Sequence, residues 1–185
     1  MGKNKEYITE IREILFDEQA IAGKVRELAG QISHDYAGKE LVLICILKGA
    51  VMFAADLMRS LSLPVIVEFI QATSYGNSTI SSRAVAVKKD IHTDIKGKHV
   101  LLVDTIIDTG ETMDCLMKKF SEKGPASLKA AVLLDKRCRR SVEVPIAYQG
   151  FEIPDTFVVG YGMDHAEQYR NLPYIATIKT MECPQ

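Results

Sequence analysis

Cysteine is scarce and scattered in this chain: Cys45, Cys115, Cys138 and Cys183 stand far apart, and no two form a C-x-x-C pair. That spacing argues against a disulfide framework or a thiolate zinc site, and the apolar neighbours of Cys45 and Cys115 predict buried free thiols in a reducing compartment. The histidines, His34, His92, His99 and His165, show no zinc spacing and read as surface or packing residues. Excess charge is missing too. A formal net charge of −1 offers no electrostatic case for a nucleic-acid or anionic-membrane partner. No apolar run approaches the roughly 20 residues of a spanning helix. Met1-Gly2-Lys3-Asn4-Lys5-Glu6 has no signal-like apolar stretch, and Glu6 breaks the myristoylation pattern. A cytoplasmic protein without a membrane or nucleic-acid partner is the expectation. Walker A, G-x-S-x-G and H-E-x-x-H patterns are absent. Gly160-Tyr161-Gly162 starts a dinucleotide fingerprint, but His165 occupies the third glycine position.

What is present is a globular chain of 185 residues, 47% of them hydrophobic, enough for one domain with a substantial core and with no repeat or linker. Asp17 can cap a helix that carries Ile21, Val25, Leu28 and Ile32 on one face. Leu41–Leu47 is a continuous apolar run, the kind buried on both sides of a parallel sheet. Ala50–Leu61 reads as helix and Pro64 breaks it. Val65–Ile70, Ala84–Val87, Leu128–Leu134 and Phe157–Tyr161 read as strands, whereas 74–82, including Ser74 and Tyr75, is too polar to pack as an element. Alternating strands and helices predict an α/β fold with a parallel sheet flanked by helices on both faces. The core would span about 37–155, with 1–16 and 156–185 forming a small hood over the carboxyl edge, where ligands of such sheets bind.

The segment from Val100 to Thr112 is the most informative. Val100–Val103 reads as a buried strand that ends where Asp104, Thr105, Asp108, Thr109 and Gly110 begin. Met113, Leu116, Met117 and Phe120 then follow at helical spacing, so a helix starts just past Gly110. A strand, a small-residue turn and a helix N-terminus together create an anion site from free backbone N–H groups and the positive end of the helix dipole. Thr109 and Thr112 add hydroxyl donors. Asp104 and Asp108 suit a ligand with a phosphate at one end and hydroxyls or a metal at the other, such as a sugar phosphate. An ordinary turn capped by Asp and Thr is the plainer reading, but it needs only one or two such residues.

This stretch resembles the phosphoribosyl-diphosphate signature of type I phosphoribosyltransferases: apolar residues, an acidic pair, two apolar residues, then Asp-Thr-Gly-x-Thr. Thr105 stands where the family usually has a second acid. Other stretches are similar to the hypoxanthine-guanine branch and occur in its order from about residue 41 to 173. Leu47-Lys48-Gly49-Ala50 resembles its short pyrophosphate loop, in which the peptide before the lysine is often cis; without that context it is a helix start with a solvated lysine. The basic run after the fifth strand reads as a solvated turn at Arg139 and Arg140, whereas the resemblance implies that Lys136 donates to the 6-oxo group of a purine. It also implies that Phe157 stacks on the base, the backbone of Val158 reads its edge, and Met163 covers its other face. Asp164 would meet the metal and diphosphate, and Arg170 would bind the diphosphate. Asp108 would be the general base, while Asp104, Thr105, Asp108, Thr109, Gly110, Glu111 and Thr112 would hold the phosphoribosyl group. Mg2+ would sit by Asp104 and Asp164, and the 74–82 loop would close as a lid. The implied partners are phosphoribosyl diphosphate and a 6-oxopurine, with the chain a homodimer or homotetramer. Two other readings stand beside this one: a xanthine-preferring transferase, and a nucleotide- and RNA-binding regulator of the same fold supported by the basic run at 136–140.

Overall fold

The computed structural model of the chain describes residues 7–74 and 85–182. In chain order it runs β1 (Tyr7–Phe16), α1 (Glu18–Asp35), β2 (Leu41–Leu47), α2 (Val51–Ser60), β3 (Val65–Ser74) and β4 (Val85–Lys89). There follow β5 (His99–Ile107), α3 (Glu111–Ser121), β6 (Ser127–Asp135), β7 (Tyr148–Glu152), β8 (Val158–Val159) and β9 (Ile175–Glu182). A six-stranded sheet has the order β4-β3-β2-β5-β6-β7, and β1-β9-β8 form a separate three-stranded sheet.

The larger sheet is parallel except for β4, which returns antiparallel along β3. Its central strand β2 is apolar at every position, and β5 is apolar from Val100 to Val103, because both faces are covered there. On one side Leu41, Leu43, Cys45, Leu101 and Val103 pack with Ile21, Val25, Leu28 and Ile32 of α1 and with Phe53 and Leu57 of α2. On the other, Val42, Ile44, Val100 and Leu102 pack with Met113, Leu116 and Phe120 of α3. Asp17 caps α1 as its sequence position suggests, its carboxylate accepting from the Ala20 N–H at 2.8 Å. Cys45 is fully buried, and that burial pushes its thiol up to about 12; Cys45, Cys115 and Cys138 are all free. No described helix is long and apolar enough to cross a membrane.

Three of the departures from the sequence reading have a plain physical cause. β5 does not end at Val103 but continues to Ile107, because its ladder with β6 carries on through Asp104↔Val132, Ile106↔Leu134 and Ile107↔Asp135. The strand at Phe157–Tyr161 shrinks to Val158–Val159 and belongs to the second sheet, since Gly160 at φ 95° and Tyr161 at φ 49° turn the chain away. The third is β1, which pairs antiparallel with β9. Ile8, Ile11 and Ile14 recur every third residue rather than every second, and the β1–β9 ladder carries register shifts between Ile11 and Glu13 and between Ile14 and Phe16.

The strand order fixes where a ligand can bind. From β2 the chain builds outward through α2 to β3; from β5 it builds the other way through α3 to β6 and β7. The loops leaving β2 and β5 therefore diverge to opposite faces and open a crevice between them at the carboxyl edge.

Candidate active site

Two adjoining cavities occupy that crevice, about 450 Å³ and about 580 Å³, and both are bordered by Leu47, Gly49, Ala72, Ile106 and Asp108. The second is the pocket of the β5–α3 turn, lined by Asp104 and by Thr109, Gly110, Glu111 and Thr112. Gly110 takes φ 88° and has no side chain to cap the helix that follows; the Glu111 N–H at its start donates to the Thr109 hydroxyl at 3.4 Å, a long bond at the turn that an anion can replace. The first cavity collects Lys48, Lys136, Phe157, Val158, Met163, Asp164 and Arg170 around the same centre. Lys48–Gly49, the β5–α3 turn, Lys136 and the 157–170 segment, all well separated in sequence, thus meet at one crevice. The Leu47–Lys48 peptide bond is cis.

Thr105 does not join them. Its side chain is fully buried, on the same face of β5 as Val103 and away from both cavities. Its hydroxyl donates to the Gly49 carbonyl oxygen at 3.0 Å. The expectation that Thr105 reaches a ribose hydroxyl is therefore corrected: strand alternation turns it into the sheet when it turns Asp104 towards the turn. Of the expected lid residues, Ser74 closes β3, while Tyr75 and most of the 74–82 loop lie outside the described residues.

Of the expected solvated turn, Arg139 is indeed exposed, though paired, whereas Arg140 is not solvated. Arg140 makes a buried ion pair with Asp135. Arg139 reaches Asp108 through Nε at 2.9 Å and Asp155 through Nη1 at 3.4 Å. The segment wraps the β5–α3 turn, with the Ser141 and Val142 N–H groups donating to the Thr109 carbonyl at 2.9 and 3.1 Å. No periodicity in the sequence announces this, because Asp108 and Thr109 lie just past β5, Asp135 ends β6 and Asp155 follows β7. Lys136, at the end of β6, is only 7% exposed and borders the cavity beside Asp108. Phe157 is 53% exposed, in contrast to the core packing usual for a strand phenylalanine, and lies edge-on to His165.

Glu167, which the sequence reading does not single out, bridges the two expected diphosphate cations. It contacts Lys48 at 2.9 Å and Arg170 at 3.3 Å, and these cations hold its carboxyl below the usual range, Lys48 foremost. Arg170 also pairs with Asp164 at 2.8 Å and donates to the Gly162 carbonyl at 2.8 Å. Both cations are thus matched by carboxylates, an arrangement that an incoming anion can replace charge for charge.

Asp104 is the site's unusual acid. Burial raises its carboxyl to about 7, partly opposed by the N–H groups of Thr105 and Ile106. Between pH 4 and 7 the folded protein keeps this proton where the unfolded chain has released it, so the group's contribution to stability falls as pH rises through that window. Asp104→Asn should therefore gain stability relative to the native chain on going from pH 5 to pH 8, by on the order of 2 kcal/mol. Thermal melts at both pH values in a metal-chelating buffer test this; an equal difference at both would exclude it. Among the described residues no group of three or more metal-ligating side chains occurs. A divalent ion here would need oxygens from the ligand beside Asp104 and Asp164, which is how magnesium is usually held.

A family model described as phosphoribosyl transferase domain matches residues 12–166. The chain is 45% identical over 169 residues to a hypoxanthine phosphoribosyltransferase of Haemophilus influenzae, covering 90% of this chain and 94% of that one. It is 46% identical over 176 residues to a hypoxanthine-guanine phosphoribosyltransferase of Dictyostelium discoideum, covering 93% and 97%. Among solved structures, a hypoxanthine-guanine phosphoribosyltransferase of Bacillus anthracis superposes with a TM-score of 0.87 at 45% identity, over 93% of this chain and 100% of that one.

Proposed function

The chain belongs to the phosphoribosyl transferase family, and from that premise we propose that it is a purine-salvage enzyme that transfers the phosphoribosyl group of phosphoribosyl diphosphate to hypoxanthine or guanine, giving IMP or GMP and pyrophosphate. One observation carries the reading: at the switch point, the β5–α3 turn, the Lys48-Gly49 loop and the Lys136–Phe157 wall share one crevice. A phosphate suits the first, a diphosphate the second and a base the third.

In this reaction purine N9 attacks C1′ as the bond from C1′ to the diphosphate oxygen breaks, and positive charge develops on the ribosyl ring. The 5′-phosphate lies at the N-terminus of α3, among Thr109, Gly110, Glu111 and Thr112. Lys48 and Arg170 exchange Glu167 and Asp164 for the diphosphate and stabilise it as it leaves. Asp104 holds ribose hydroxyls. Asp108 leaves Arg139 to accept a hydrogen bond from purine N7–H and takes that proton as N9 attacks. Phe157 stacks on the base, Met163 covers its other face and the Val158 backbone reads its edge. Magnesium, held by Asp104, Asp164 and substrate oxygens, would supply charge neutralisation on the leaving group.

A lysine ammonium can only donate, so Lys136 favours a 6-oxo acceptor and opposes the 6-amino group of adenine. Lys136→Ala should lower kcat/KM for hypoxanthine by roughly 1.5–3 kcal/mol, the scale of a charge-assisted hydrogen bond. An equal loss on a base lacking the 6-oxo group would take Lys136 out of base recognition.

The RNA-binding alternative loses its support in the ion pairs of Arg139 and Arg140, which leave no contiguous basic patch at 136–140. Pyrophosphate release from phosphoribosyl diphosphate with hypoxanthine, guanine and xanthine in turn tests the main reading and ranks the bases. No release with any 6-oxopurine would refute it. The free thiols fit a cytoplasmic setting. A homodimer or homotetramer is the assembly we propose, to be read by light scattering.

A further inference from the structure

We propose that Thr105 is a positioning residue for the diphosphate loop: its buried hydroxyl holds the Gly49 carbonyl, and with it the Lys48–Gly49 backbone, in the orientation that receives an anion. The inference rests on the proposed transferase function and adds to it a residue that makes no contact with substrate.

The geometry has three parts. Thr105 is fully buried near the end of β5, and its hydroxyl donates to the Gly49 oxygen at 3.0 Å across 56 positions of sequence. Gly49 itself borders both cavities. The same oxygen lies against Gly162, where any Cβ would collide with it, and Gly162 takes φ 95° to make that approach. Gly162 in turn accepts from Arg170. The Gly49 carbonyl is therefore gripped from the strand that carries the ribose-side acid and from the turn that carries the diphosphate arginine.

The physical consequence concerns the sign of the field at the loop. A peptide is a dipole, and a carbonyl oxygen facing a diphosphate would repel it. Bonded to Thr105, the oxygen is drawn towards the interior and away from the anion's path. A side chain that only satisfied a buried acceptor would affect folding alone; one that orients the loop must also affect diphosphate affinity.

Thr105→Val keeps the shape and removes the donor. With the native protein first shown to release pyrophosphate, the expected result is a roughly tenfold rise in KM for phosphoribosyl diphosphate, the scale of one lost hydrogen bond, with KM for hypoxanthine changed less than about twofold. Direct calorimetric binding of phosphoribosyl diphosphate should weaken in parallel. Thr105→Ser should restore both, and Thr105→Cys, a weaker donor, should fall between. If the valine variant fails to fold, the cysteine variant must show the rise. Unchanged KM for phosphoribosyl diphosphate in a folded valine or cysteine variant, or equal rises for both substrates, would overturn the inference. A native protein inactive on every base would instead strike at the proposed function.

Discussion

Asp108→Asn should lower kcat with hypoxanthine by roughly 10²-fold or more, the usual scale for loss of a general base. The amide has the size of the carboxylate and can still accept a hydrogen bond, but it cannot take up the proton that purine N7 releases. Asp108 sits just past the end of β5, where it borders both cavities, so it can face the base on one side and the sugar on the other. Arg139 anchors its Oδ1 in the absence of substrate, which keeps the carboxylate at the crevice rather than turned into solvent. Affinity for phosphoribosyl diphosphate should survive, since the α3 N-terminus, Lys48 and Arg170 are untouched. Single-turnover rates and calorimetric binding separate the two effects, and a variant with near-native kcat would remove Asp108 from proton transfer.

Gly160→Ala should cost roughly 3 kcal/mol or more of stability, from backbone strain together with a steric clash. Gly160 adopts φ 95°, a conformation that L residues avoid, and a Cβ there would strike the carbonyl oxygen of Tyr174. The turn it opens is tight: Gly160 and Met163 exchange both backbone hydrogen bonds, at 3.0 and 3.1 Å. At roughly 2–4 °C per kcal/mol for a chain of this size, Tm should fall by about 6–12 °C. Because Met163 and Asp164 follow the turn and line the cavity, base affinity should fall as well. A variant melting within about 2 °C of the native protein would show that the turn relaxes without strain. The glycines that look like half of a dinucleotide fingerprint thus serve a different end, letting backbone approach backbone under the site.

The motif residues on β2, β5 and β6 were legible because local chemistry and element periodicity agree there. A fully apolar run implies burial on both faces, and a glycine between strand and helix implies an open helix N-terminus. Resemblance then linked stretches that periodicity alone could not relate. Arg139 and Glu167 escaped because their meaning lies in partners far along the chain, Asp108 and Lys48; Arg140 escaped although Asp135 is near in sequence, because no periodicity marks the turn that buries the pair. β1 and β9 escaped because they stabilise each other across nearly the whole chain, and the ladder's register shifts hide the two-residue period.

By itself the sequence determined the α/β class, the glycine turn ahead of α3 and the kinds of side chain gathered there, since these depend on near neighbours and on residue chemistry. Only the tertiary structure decided that Thr105 faces Gly49 rather than either cavity, that Arg139 and Arg140 are held in ion pairs, and that Phe157 stands open at the crevice. The reason is geometric. Which side of a strand a residue faces where a ladder ends, and which charge meets which, are set by elements distant in sequence, and no local pattern encodes them.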